Sequence, residues 1–186
     1  VRELVRAGEI GEIRAVALGG QHPLLPGVRA GWYHEAGKHG GTINDIAIHG
    51  LDLVPWITGV GFHRVVAARV WQAGPPPGSH FLNAGQFMME LANGAGLIAD
   101  VSYVAPNSQG YTMPLYWRAT FWGSLGVIEA ALHAKDITLF KEGEKSGRTL
   151  PAAAPTPGGY LDAFLRELRG QPGSALTAPE IFRASW

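Results

Sequence analysis

The residues best suited to chemistry lie in one stretch, Gly31 to Gly59, with the sequence GWYHEAGKHGGTINDIAIHGLDLVPWITG. Within it Asp45 and His49 stand four apart in an apolar run of helical spacing. Positions i and i+4 lie one above the other on a helix face, so a carboxylate and an imidazole point the same way, about one turn apart. The imidazole can gain or lose a proton near neutral pH. The carboxylate sits in a first helical turn, where the helix dipole favours it. Together they make a candidate proton-transfer site with a hydrogen-bond acceptor beside it. Gly40 and Gly41 precede the helix without side chains, so a ligand can approach their backbone closely.

Plainer roles compete for the same residues. Thr42-Ile-Asn-Asp45 fits a helix-capping pattern ahead of an apolar run. His49 on an apolar helix also fits a satisfied core histidine. Asp45, His49, Asp52 and Trp56 share one face, however, and a polar stripe on a buried helix costs stability unless its members are paired or used. Asp52 reads as structural, holding His49 or a nearby backbone amide. His34, His39, Asp45 and His49 could supply metal ligands, but their spacing matches no standard zinc pattern and HExxH is absent, so no metal is expected. Gly59-Val-Gly61-Phe-His-Arg64 begins like a dinucleotide fingerprint, yet it follows a helix where the fingerprint needs a strand. No GxxxxGK[ST] or GxSxG occurs. His22, His63, His80 and His133 read as ordinary strand or surface histidines.

The elements that must position this stretch follow from periodicity. Val1–Ala7 has helical spacing, with Gly8 as its cap. Ile13–Gln21 reads as a strand, followed by a loop punctuated by Pro23, Pro26 and Gly27. The central helix is predicted over Ile43–Ile57. It is apolar round most of its circumference and therefore buried, with Pro55 kinking or ending its last turn. Strands are predicted at Phe62–Gln72, His80–Leu91, Gly94–Val104, Leu115–Trp122, Gly126–Leu132 and Asp136–Lys141. Asn93-Gly94 marks a hairpin, and further turns fall at Ser124–Gly126 and Lys141–Glu144. Consecutive strands with short turns imply a mainly antiparallel sheet. Leu115, Trp117, Ala119 and Phe121 are expected on one face, Tyr116 and Trp122 on the other. A sheet apolar on both faces needs a second cover, which a partner subunit supplies. Leu150–Gly159 reads as a proline-rich connector and Tyr160–Leu168 as a short amphipathic helix ended by Gly170. Thr177 and Glu180 open one more helix as a capping box.

The bulk composition limits the alternatives. The chain has 186 residues, 46% of them apolar and 16% charged, which suits one globular domain with a sizeable core. Fifteen basic residues balance fifteen acidic ones, so neither a nucleic-acid footprint nor a basic membrane-binding face is expected. The absence of cysteine excludes disulfides, thiolate metal sites and thiol catalysis, and fits a reducing cytosol. No apolar run reaches the length of a membrane span, and no signal peptide is evident. The chain starts at Val1 and stops at Trp186 inside an apparent helix, and so reads as a fragment of something longer.

GEIGEIRAVALGG, then Trp32, then GGTINDIAIHGLDLVPWITG and the run of strands resemble the C-terminal domain of the GFO/IDH/MocA (glucose–fructose oxidoreductase / inositol dehydrogenase) family over nearly the whole chain. The family pattern commonly has three glycines, and here the first is His39. The resemblance implies an α+β domain, residues 1–186, with an open, mainly antiparallel sheet and helices packed on one face. It implies the substrate-binding half of a cytoplasmic NAD(P)-dependent oxidoreductase acting on a sugar, polyol or related hydroxyl compound. The Rossmann domain that binds NAD or NADP would be supplied by the missing N-terminal part. Asp45 and His49 match the catalytic pair, with His49 exchanging the proton of the hydroxyl being oxidised. Gly40 and Gly41 are the cofactor contacts expected from this half. Arg29, Trp32, His39 and Asn44 are expected to line the substrate pocket because they flank the motif. The open sheet face would form a homo-oligomer, a dimer or tetramer. The family's catalytic lysine motif is absent, so these residues alone are expected neither to bind NAD(P) usefully nor to turn over. Two rivals remain: a non-catalytic binding or dimerisation module that keeps the fold, and an NAD-dependent glycosidase of related plan.

Overall fold

A computed structural model describes residues 1–74, 77–114, 116–153, 159–171 and 177–182. A short helix α1 (Arg2–Arg6) leads into the long strand β1 (Ile13–Pro23). A 3-10 turn (Gly31–His34) and a π-helical turn (Ile43–Ala47) then lead into α2 (Ile48–Thr58). Strands β2 (Phe62–Trp71), β3 (Ala84–Leu91) and β4 (Gly96–Ala105) follow. A further 3-10 turn (Asn107–Thr112) precedes β5 (Trp117–Gly123), β6 (Gly126–Ala131), β7 (Asp136–Lys141) and β8 (Arg148–Pro151). Helices α3 (Gly159–Leu168) and α4 (Ala178–Phe182) close the described chain.

The strands form one open sheet in the order β2-β3-β4-β1-β5-β6-β7-β8. Every neighbouring pair is antiparallel except β1 with β4. The expected α+β architecture is therefore present. The Asn93-Gly94 hairpin joins β3 to β4, with Gly94 at φ 82°. The Asn93 amide also donates to the Ile13 carbonyl at 2.9 Å, locking the hairpin onto β1.

Alternation along the strands sends Val16, Leu18, Leu97, Val101, Phe121, Ile128 and Leu139 to one face, where they form the core beneath Ile46 and Val54 of the central helical stretch. Burying side chains of this size contributes roughly 1.5–3 kcal/mol each. Gly50 lets α2 come down on the sheet: a Cβ there would meet Leu18 Cδ1 at 3.0 Å. The other face is open. It mixes exposed Met88, Ile98, Val104 and Trp122 with a polar network in which Gln21 and Gln86 both donate to the Asp100 carboxylate, at 2.7 and 3.1 Å.

Several expectations are corrected. The central helix runs one residue past its predicted end at Ile57, to Thr58, with Gly59 as a left-handed cap (φ 77°) donating to the Pro55 carbonyl. Proline removes one intrahelical bond, yet the last turn is closed from outside. Arg6 donates to the carbonyls of Pro55, Trp56 and Ile57, and Arg2 to that of Trp56. Nor is the helix buried all round: Gly50, Val54, Pro55 and Ile57 are buried, while His49 and Leu53 are exposed.

β3 starts at Ala84, not His80. Buried Asn83 exchanges hydrogen bonds with the backbone of Ala73, and the His80 N–H donates to the His34 carbonyl, which pulls this segment out of the ladder. Residues 148–151, partly assigned to the connector, form edge strand β8, where a terminal proline is tolerated. Tyr116 precedes β5 and packs against His22 rather than joining Trp122 on the open face. Leu115 and the Glu180 side chain of the expected capping box lie outside the described residues. Among the described residues no helix is long and apolar enough to cross a membrane.

Candidate functional site

The helical stretch begins as a π-turn rather than a regular α-turn. Such wide turns recur at functional sites because they displace a side chain from the regular helical spacing. Thr42 does not cap it. The Thr42 hydroxyl is buried and donates to the Leu82 carbonyl, anchoring the turn to the segment ahead of β3. Asp45 is thereby freed from a capping role, and its carboxylate has long-range partners. The Tyr103 hydroxyl, from β4, donates to Asp45 Oδ2. His39 Nε2 lies 3.2 Å from the same oxygen. Burial and the bond to Asp45 push the Tyr103 hydroxyl well above the ordinary phenol range, so it stays a donor.

These partners stand in an aromatic wall. Phe81, 1% exposed, packs edge-on to Tyr33 and His39 with centroids at 5.6 and 4.4 Å, and against Tyr103 at 5.1 Å. Trp32 lies parallel to His39 at 6.0 Å and tilted on Tyr33 at 4.4 Å, and remains 46% exposed. Arg29 spreads its guanidinium over Tyr33 and Tyr103, with its carbon 5.4 and 4.9 Å from the ring centroids. It also donates to the Leu24 carbonyl at 3.2 Å and the Tyr111 hydroxyl at 2.8 Å. Among the described residues Arg29 has no carboxylate partner.

His49 has a different setting. It is exposed, the second residue of α2, with the Trp117 indole edge-on at 6.3 Å. Beside it an apolar recess of about 400 Å³ runs between α2 and the β5–β6 strands, lined by Leu53, Val54, Ile57, Trp117 and Phe121. The expected coincidence of Asp45 and His49 is thus loosened. They share one element, but Asp45 reaches toward β4 while His49 borders β5.

His22 lies between them, and its reading as an ordinary strand histidine is corrected. It falls where the β1–β4 register shifts, between Gln21 and Pro23, an irregularity of the kind that re-aims a side chain. Its ring meets Tyr116 at 4.5 Å, Tyr103 at 5.6 Å, Trp117 at 5.7 Å and Tyr111 at 6.1 Å. Burial first, then the nearby Arg29 cation, hold it down at about 4, with Asp45 opposing and His49 reinforcing the shift. It is a neutral imidazole at pH 7. Its covered Nε2 has no hydrogen-bond partner among the described residues.

Of the expected pocket residues, Trp32 and Arg29 belong to this wall. Asn44 is exposed and spends its amide on the Gly40 carbonyl at 2.8 Å, closing the turn. The His39 side chain is 6% exposed and so cannot line a pocket; it contacts Asp45 instead. Gly41 needs its left-handed φ of 89°, and a Cβ there would meet nothing within 4 Å, so the backbone faces open space. Gly40 is exposed, with only Asn44 nearby. His34 bonds Ser79 at 2.8 Å, and no cluster of three or more His, Asp or Glu fit for a metal occurs among the described residues. Tyr103, Tyr33 and Phe81 were not singled out from sequence. The available signal is the Tyr103 hydroxyl itself, since a buried tyrosine needs a partner.

Comparison with known proteins follows the same lines. The family model described as "GFO/IDH/MocA C-terminal domain" matches residues 1–129. No curated protein matches the sequence. A protein of Thermotoga maritima described as an oxidoreductase superposes with a TM-score of 0.82 at 26% identity, covering 99% of this chain and 53% of that one. At 15% identity, a UDP-N-acetylglucosamine 3-dehydrogenase of Acidithiobacillus ferrooxidans shares the fold with a TM-score of 0.70, covering 98% of this chain and 53% of that one. An aldose-aldose oxidoreductase of Caulobacter crescentus, complexed with glycerol, does so at 18% identity and 0.70, over the same shares. The chain spans about half the length of these relatives.

Proposed function

The chain belongs to the GFO/IDH/MocA C-terminal domain family, and we propose that it is the substrate-binding half of a cytoplasmic NAD(P)-dependent oxidoreductase acting on the hydroxyl of a sugar, polyol or related compound. One observation carries this reading. Asp45, held by two donors on Oδ2, and exposed His49 flank the neutral His22 beneath an aromatic wall that Trp32 extends to the surface. Aromatic faces suit the apolar faces of sugar rings. Hydroxyl-rich ligands need acceptors such as the free oxygen of Asp45.

Oxidising an alcohol removes a hydride and a proton. His49 takes the proton, being exposed and unencumbered, and Asp45 orients the hydroxyl. The described residues hold no dinucleotide fingerprint, since Gly59 caps α2 and the Gly61 carbonyl accepts from the Ala92 N–H. What this chain offers a cofactor is the space beside Gly40 and Gly41, which carry no side chain. The nicotinamide, when bound, supplies the hydride acceptor. The open sheet face, with Met88, Ile98, Val104 and Trp122 around the Asp100 network, is the surface through which we assign a homo-oligomer.

The test is a screen of sugars and polyols with the intact protein and both cofactors, followed by His49→Ala on the substrate found. We expect kcat to fall about 10²–10⁴-fold. Unchanged turnover removes the catalytic role of His49.

A further inference from the structure

We infer that His39 is a positioning residue that fixes which oxygen of Asp45 faces the ligand, an inference that rests on the functional reading above. The geometry is specific at the level of atoms. The Gly41 N–H donates to His39 Nδ1 at 3.0 Å, so Nδ1 carries the lone pair and the ring proton sits on Nε2. That N–H is 3.2 Å from Asp45 Oδ2. The Tyr103 hydroxyl donates to Oδ2 as well. Oδ1 accepts no hydrogen bond among the described residues, and the Asp45 side chain is 35% exposed. Two donors pin one oxygen and present the other.

The ring that provides one of these donors cannot itself reach a ligand. It is enclosed by Trp32, Tyr33 and Phe81, which also keep water from competing for Nε2. The loop glycine therefore acts through two bonds: Gly41 sets the tautomer of His39, and His39 sets the carboxylate of Asp45. A preset carboxylate loses less rotational freedom when a hydroxyl arrives, which is the structural content of orientation. Tyr103 comes from the sheet and His39 from the loop, so the carboxylate also joins these two parts.

The experiment compares His39→Ala with His39→Gln in the intact protein. A glutamine amide nitrogen reaches the place of Nε2 and carries hydrogens, whereas alanine offers no donor. Loss of a hydrogen bond to a charged group corresponds to about a tenfold to hundredfold fall in kcat/KM for His39→Ala. Most of it should return in His39→Gln, although both variants lose the ring and melt at similarly lowered temperatures. A glutamine variant as poor as alanine assigns His39 to packing alone and overturns the inference. So does an alanine variant as active as wild type. If His49→Ala is inactive while His39→Ala is unaffected, the functional reading stands and only the role of His39 falls. If no substrate is found for the wild type, ¹⁵N NMR of the histidine ring decides separately. A proton on Nε2 of His39 at neutral pH is expected, and one on Nδ1 overturns the arrangement.

Discussion

Asp45 and His49 sit four residues apart on one helical stretch, and their surroundings differ sharply. Asp45 is tied to β4 through Tyr103 and to the preceding loop through His39, behind Phe81. His49 touches the edge of Trp117 beside an apolar recess and is otherwise open. The acceptor is built into the domain; the proton carrier is left accessible. A group that only orients works best when immobile, whereas a group that exchanges protons must meet a partner and then solvent.

The contrast can be broken from the rigid side. Phe81→Ala removes the ring that packs on Tyr33, His39 and Tyr103. It should destabilise the protein by about 3–5 kcal/mol, measured by denaturant unfolding. His49 lies outside this wall, so diethyl pyrocarbonate modification of His49 should proceed at an unchanged rate in the folded variant. A faster rate would show that the two halves are one cooperative unit.

Tyr103→Phe is milder. It removes one of two donors to Asp45 Oδ2 and keeps the ring packing. A cost of about 1–2 kcal/mol is expected in the same unfolding measurement, because a charged acceptor loses a donor. A cost near zero would mean that His39 or solvent takes over the freed oxygen.

A separate effect, read through pH, concerns the residue between the halves. His22 is held at about 4 when folded, mainly by burial, against about 6.5 in an unfolded chain. Between these values the unfolded state binds more protons, so stability falls as pH is lowered. The contribution is complete above about pH 6.5, declines toward pH 4 and is flat below. The Tm of the wild type should drop over this window more than that of His22→Gln. Parallel curves would place the proton uptake elsewhere.

Most of the fold could be read from the chain because its devices are local. β7 was predicted at its observed ends from alternation and flanking turns, and Asn93-Gly94 announced its hairpin. Failures came where distant residues intervened. Pro55 reads as a break in the last turn until Arg2 and Arg6, some fifty residues earlier, are seen holding the last carbonyls. His80–Asn83 runs on from the β3 pattern in sequence, but Asn83 ties it to Ala73.

The site was legible only as far as its helix. Asp45 and His49 stand out by spacing, whereas Tyr103 and His22 reach the site through sheet register. No pattern within β1 or β4 shows that Gln21 lies opposite Ser102 or that the register slips next to it. His39 beside the motif suggests pocket lining, but its side chain is enclosed. Its enclosure depends on Phe81, more than forty residues downstream.

The parallel pairing of β1 with β4 has one last consequence. β2-β3-β4 and β5-β6-β7-β8 are each meanders joined to their neighbours in sequence, and β1 alone bridges them. Tyr103 belongs to the first meander, Trp117 to the second and His22 to the bridge. The aromatic cluster around His22 is thus a keystone construction: each half carries only part of it, and it is complete only once the earliest strand lies between two later ones.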